Sequence, residues 1–296
     1  MGVAATLPAP RRSFRTDARL WLIGIAVVLL YAPTVSWLWD RWTLSVWHNA
    51  HGMLIPFVVA YFVRDELTRF TGPAEEGSAW GFAWLVPALL MHVFDGAMHT
   101  QLLSAASIVV AAPGLSLLVL GPSRTRAILF PLLFLVFMLP VPLGVTERIH
   151  LALRHLTASG VELLVPLTGI PMLRDGLTLE TVGARLYVAD ACSGFSTLYA
   201  SVTVACLTAY FCPVPWRRAA VLLLAAPIAI GANILRVSLL VLLVKWYGNG
   251  ILDTWMHEGS GILTFLLALP IIFWLGSPPP APKAPTNPEP APAVAP

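Results

Sequence analysis

Ten residues, VADACSGFST at 188–197, place a cysteine, a serine and a glycine at the mouth of a long apolar run that begins at Phe195. Cys192 sits just before a helix start, so the amides of Ser193, Gly194 and Phe195 are expected to point at its sulfur. Unsatisfied amides of a first helical turn favour negative charge, and the sequence therefore predicts a lowered thiol pKa and a reactive thiolate. Arg236, inside the apolar stretch GANILRVSLLVLL, poses a different problem. A cation there costs several kcal/mol unless it is paired or lines a polar cavity, although snorkelling to the headgroups is open to it. His257 stands in DTWMHEGSG, directly before the last apolar run. Thiol, guanidinium and imidazole are the parts of an acyl-transfer site: nucleophile, oxyanion stabiliser and proton carrier. Taken singly none is diagnostic. Cys206 and Cys212 read as packing residues, and a histidine before a span is ordinarily an interfacial polar group.

These residues act together only if the chain brings them to one side of a membrane. Of the 296 residues, 57% are hydrophobic and 11% charged, which excludes an ordinary soluble domain and implies an all-α polytopic membrane protein. Eight spans are the simplest count, at 20–39, 51–63, 79–94, 101–120, 127–145, 194–211, 219–244 and 259–276. The first follows Arg11, Arg12, Arg15 and Arg19, is too long for a signal-peptide core and has no small-residue cleavage site, so it reads as an uncleaved anchor with residues 1–19 in the cytoplasm. The short loops RDELTR, GPSRTR and PWRR then face inward, and DGAMH, without lysine or arginine, faces out. Both termini fall inside. Arg236 lies 17 residues beyond Ala219, roughly 26 Å along a helix, and so reaches the outer leaflet boundary, the side where Cys192 and His257 also fall.

Residues 146–191 are the part least like a span. ERIHLALRHLTASGVELL mixes leucines and valines with Arg148, His150, Arg154, His155 and Glu162, which fits an amphipathic helix at the outer surface. A ninth span here would put PWRR outside. After Pro171 the period changes to two, with Leu177 and Leu179, then Leu186 and Val188, alternating with polar neighbours around Gly183; this predicts a β-hairpin ending at Asp190. Residues 20–276 form the membrane-embedded domain, and 277–296, rich in proline, are expected to be a disordered cytoplasmic tail. A net charge of +3 carried by short arginine clusters reads as topology, not as a nucleic-acid surface. Three cysteines without CxxC or Cys/His spacing suit neither a disulfide framework nor a metal. His92, Asp95 and His99 read as a polar turn. His51 begins the second span at the outer face, where it is expected to shape a substrate groove or to cap the helix. Asn233, one turn before Arg236, is a candidate to orient the guanidinium or to satisfy backbone near Gly231.

At these residues the chain resembles the exosortase/archaeosortase family of integral-membrane cysteine transpeptidases. YVADACSGFSTL resembles the family's cysteine motif with its upstream hairpin, NILRVSLL its Asn-x-x-Arg motif, HEGSGILTF its histidine motif, and HNAHGMLIPFVVAYFV the His-Gly stretch that opens its second span. The resemblance implies Cys192 as nucleophile, Arg236 as transition-state stabiliser and His257 as general base or acid, with Asp190, Ser193, Gly194, Asn233 and His51 in support. Asp190 departs from the glutamate the family often carries. Implied substrates are exported proteins ending in a short motif, often Pro-Glu-Pro, a transmembrane helix and a basic cluster, cut on the outer side of the bacterial inner membrane and passed to an acceptor. No cofactor is implied. Two other readings stay open: a membrane acyltransferase using the same thiol, and a transporter in which Arg236 binds an anionic solute. Oligomeric state is not encoded in any of these features.

Overall fold

Proline and glycine punctuate the apolar sequence into helices of unequal length. The computed structural model describes residues 18–44, 49–73, 75–248, 250–251 and 254–277. Among them the α-helices are α1 (Ala18–Thr43), α2 (Ile55–Arg69), α3 (Gly81–Met98), α4 (Leu102–Leu120), α5 (Pro122–Phe134), α6 (Leu143–Leu164), α7 (Phe195–Phe211), α8 (Pro215–Tyr247) and α9 (Trp255–Gly276). Proline stands in the first turn of α2, α5 and α8, where its missing amide has no helical partner to lose. Among the described residues, four stretches are long and apolar enough to cross a membrane: Gly81–Met98, Leu102–Leu120, Pro215–Tyr247 and Gly259–Gly276. The chain is therefore a mainly helical, multi-pass membrane protein.

Several expected spans are shorter or broken. α2 has 15 residues and α7 has 17. The fifth, expected over 127–145, is not one helix: α5 stops at Phe134, a 3-10 turn covers Leu135–Met138, and the backbone is extended at Leu139 and Pro142 before α6 begins. Pro140 and Pro142 cause the break, because each lacks an amide donor and pushes its predecessor out of helical conformation. The expected N-terminal cytoplasmic segment, up to residue 17, and the proline-rich tail from 278 lie outside the described residues.

Contacts divide the chain into two units, Met1–Pro140 and Val141–Pro296. In the first, α3 and α4 pack closely through small residues: a Cβ on Gly81 would come within 2.5 Å of the Gly114 carbonyl oxygen. The polar turn expected around His92, Asp95 and His99 has a structural task. The Asp95 carboxylate accepts the Ser104 amide at 3.1 Å and the Thr100 hydroxyl, and so caps the start of α4. Tyr31 of α1 and Ser107 of α4 share a buried hydrogen bond of 2.8 Å.

The second unit carries the thiol. α7, α8 and α9 pack around Ala205, Ala209, Val221, Ala225 and Ile272, and α6 crosses α8 where Gly160 meets the Ile234 side chain. Between α6 and α7 lies an antiparallel sheet of three strands: β1 (Met172–Asp175), β2 (Thr178–Thr181) and β3 (Ala184–Tyr187), in that order. The expected hairpin is thus one strand short. β1, with sequence MLRD, shows no apolar alternation, and it joins by pairing Met172 with Thr181 and Asp175 with Thr178. Leu179 and Leu186 stand opposite each other in the β2–β3 ladder and both turn into a core with Ala158 and Val161 of α6, Val165 just after it, Val237 and Val241 of α8, and Cys192. This shared core fixes the height of the cysteine against α8. Gly160→Val should force α6 off Ile234, cost about 1–3 kcal/mol and lower the detergent-solubilised Tm; an unchanged Tm would mean the crossing is not a close one.

Candidate active site

Arg236 lies 22 residues into α8, a helix of 33 residues and about 50 Å. It is 8% exposed. Its neighbours on α9 show how an apolar helix pair tolerates it. Arg236 Nε donates to Ser260 Oγ at 2.9 Å, and a Cβ on Gly261 would sit only 3.7 Å from the guanidinium carbon. The GSG of HEGSG therefore supplies one acceptor flanked by two residues small enough to let the planar group lie against the α9 backbone. His257 falls in the first turn of α9, three residues before Ser260 and on the same helical row as Ser260 and Thr264; its side chain lies outside the described residues.

Cys192 closes a 3-10 turn, Asp190–Cys192, and is 4% exposed. Its backbone is held from α8: Asn233 Nδ2 donates to the Cys192 carbonyl at 3.0 Å and lies 3.1 Å from Thr157 Oγ1 of α6. Gly194 follows with φ +78°, the left-handed region, and a Cβ there would lie 2.5 Å from Asn233 Cγ. Two constraints thus require glycine, the backbone angle and the closeness of Asn233. The pair Asn233 and Arg236, one turn apart, presents an amide to the backbone of the cysteine and a cation to its surroundings. Asn233 binds the backbone of the cysteine turn, a contact different from either expected one, toward the guanidinium or toward backbone near Gly231.

Two of the three amides expected to aim at the sulfur are engaged elsewhere. The Ser193 amide donates to the Asp190 carbonyl at 3.1 Å, and the Phe195 amide to Ser193 Oγ at 3.3 Å. Burial pushes the Cys192 thiol above its ordinary pKa; the Arg236 charge and a backbone hydrogen bond from Ala189 pull it down without fully offsetting burial. The expectation of a thiolate favoured by a helix start is corrected: burial shifts Cys192 toward the neutral thiol, and the charged group that favours its ionisation is Arg236.

Sequence reasoning missed three residues on α6. His150 Nδ1 is 2.8 Å from Ser193 Oγ, with its ring 4.8 Å from that of Phe195. Arg154 Nη1 pairs with Asp190 at 3.1 Å, and Thr157 receives Asn233. Residues 150, 154 and 157 share one face of a helix, and that face holds the cysteine turn directly at Asp190 and Ser193 and indirectly through Asn233. A second row, His155, Ser159 and Glu162, meets Arg174 of β1. The polar residues that suggested a surface helix are therefore engaged with the turn and the sheet; their spacing was the available signal. His51 belongs to the first unit, in a 3-10 turn before α2. Cys206 lies on α7 and Cys212 just after it.

The sign of the Arg236 effect is testable. Removing the cation leaves burial opposed by the Ala189 backbone hydrogen bond alone, so in Arg236→Ala the pH midpoint for Cys192 alkylation should rise. An unmoved midpoint would show that the guanidinium does not act on the sulfur.

A family model described as transmembrane exosortase matches residues 39–274, a stretch containing Cys192, Arg236 and His257. No curated protein and no solved structure matches the chain. By that match over most of its length, the chain belongs to the transmembrane exosortases, a family of membrane transpeptidase type.

Proposed function

We infer that the protein is a cysteine transpeptidase that cleaves C-terminal sorting signals of exported proteins on the outer side of the bacterial inner membrane. The observation that carries this reading is that Asn233, one turn before the buried Arg236 on a spanning helix, holds the Cys192 carbonyl at 3.0 Å, which sets the buried thiol against that helix. A buried thiol and a guanidinium held in an apolar wall provide a nucleophile and a charge aimed at the oxygen that becomes negative on attack. In this account the chain crosses the membrane eight times, the fifth crossing being made by α5 and the 3-10 turn that follows it, residues 146–191 form the outer cap, and both termini are cytoplasmic.

The chemistry follows from the resting thiol. His257 accepts the Sγ proton as the sulfur bonds to the scissile carbonyl carbon, and Arg236 stabilises the oxyanion. Collapse breaks the C–N bond; the proton on His257 passes to the departing amine, leaving a thioester on Cys192. An acceptor nucleophile then takes the acyl group and restores the thiol. A buried cation interacts more strongly with a full negative charge than with a neutral carbonyl, so Arg236 favours the thiolate and the tetrahedral intermediate alike.

Charge and forked geometry separate by one substitution. Arg236→Lys keeps the charge and loses the planar donors, so processing of a substrate carrying motif, helix and basic cluster should fall by roughly a hundredfold or more. Cys192→Ala should abolish it, and Cys206→Ala should leave it near normal. Processing by Arg236→Lys at the wild-type rate would reduce Arg236 to a snorkelling residue.

A further inference from the structure

Along α8 and α9 runs an apolar groove of about 700 Å³, and Arg236 and Ser260 lie in its wall. Its α8 side extends from Leu243 to Pro227 and its α9 side from Gly259 to Ile271. From Arg236 to Pro227 the wall continues for nine residues, roughly 14 Å along the helix axis. Small residues, Gly231, Ala232 and Ala268, form part of the lining. A Cβ on Gly231 would meet nothing within 4 Å. Leu263 and Leu267 on α9 are 56% and 61% exposed.

An occupant of this groove must be apolar along its length and present an electronegative atom at the level of Arg236. The geometry points to the transmembrane helix of the substrate, lying in the groove with its scissile carbonyl at the level of Arg236. This rests on the transpeptidase reading. Once a scissile peptide is set against Cys192 and Arg236, the chain that follows it enters hydrocarbon, where its own amides must be satisfied internally, so it is a helix. The groove leads from Arg236 toward the Pro215 end of α8, the direction that helix must take. Small side chains let helices approach closely enough for backbone and side chains to interlock, which an acyl chain does not require. The substrate helix is therefore held by shape along the α8–α9 pair, and the cut is placed by where the helix begins.

Filling the groove without disturbing the protein tests this. Gly231→Phe projects a ring into open space, improves helix propensity and should leave the Tm at least as high; processing should fall roughly tenfold or more. Processing at the wild-type rate by a folded Gly231→Phe protein overturns the inference. A second measurement places a photo-crosslinking amino acid at Leu267, in the groove, or at Leu223, on α8 outside its lining and 74% exposed. In a Cys192→Ala background incubated with an uncleaved substrate, position 267 should capture the substrate helix and position 223 should not. Capture of lipid alone at 267, or equal capture at both positions, overturns it. Failure of the catalytic reading is distinguishable, because it appears as continued processing by Cys192→Ala whatever happens at Gly231.

Discussion

A guanidinium is costly to keep in a helix that crosses lipid, and much of the second unit is arranged around keeping Arg236 there. The Gly-Ser-Gly at 259–261 brings the α9 backbone up to it and gives Nε an acceptor. The cysteine turn is held on the same helix by Asn233, one turn away. Remove the arginine and the small residues of α9 have no reason to be small, and the thiol loses the cation that favours its ionisation. Burial and charge oppose each other at Cys192. Burial outweighs the charge, which favours the neutral thiol. That arrangement limits unwanted alkylation or oxidation of a thiol, since the thiolate is the reactive form.

The cap serves the same end. β2 and β3 bury Leu179 and Leu186 against α6 and α8, and α6 in turn holds the turn through His150, Arg154 and Thr157. Two direct links from one helix face, one apolar core and one asparagine of α8 that also reaches Thr157 restrain a segment of about five residues. Such over-determination holds a backbone in a conformation that includes a left-handed Gly194. It also supplies the preorganisation that a displacement at a carbonyl demands.

Apolar runs and the polar residues interrupting them were legible in the sequence, because an arginine within GANILRVSLLVLL is too costly in hydrocarbon to stand there without a task. The existence and approximate position of most helices followed from the same property. Prolines at 140 and 142 were visible too, yet an apolar run across them looks continuous to a reading based on hydropathy. β1 was hidden because MLRD has no alternation of its own and becomes a strand through the partner it finds in β2. The state of Cys192 was not legible for a related reason: sequence position identifies a nearby helix start but not which acceptors its amides find, and here Asp190 and Ser193 take them. The row at 150, 154 and 157 was legible as spacing, and its meaning required knowing that the cysteine turn lies against it.

The central claim is that Cys192 forms a covalent acyl bond with its substrate. Mass mapping of the purified protein after brief incubation with a sorting-signal substrate, followed by acid quench, tests it most directly. The account predicts an N-terminal substrate fragment attached to the peptide containing Cys192 and released by hydroxylamine, as a thioester is. Turnover of the substrate with no adduct on Cys192 under conditions that trap thioesters, or with the adduct on Cys206 or Cys212, would contradict it.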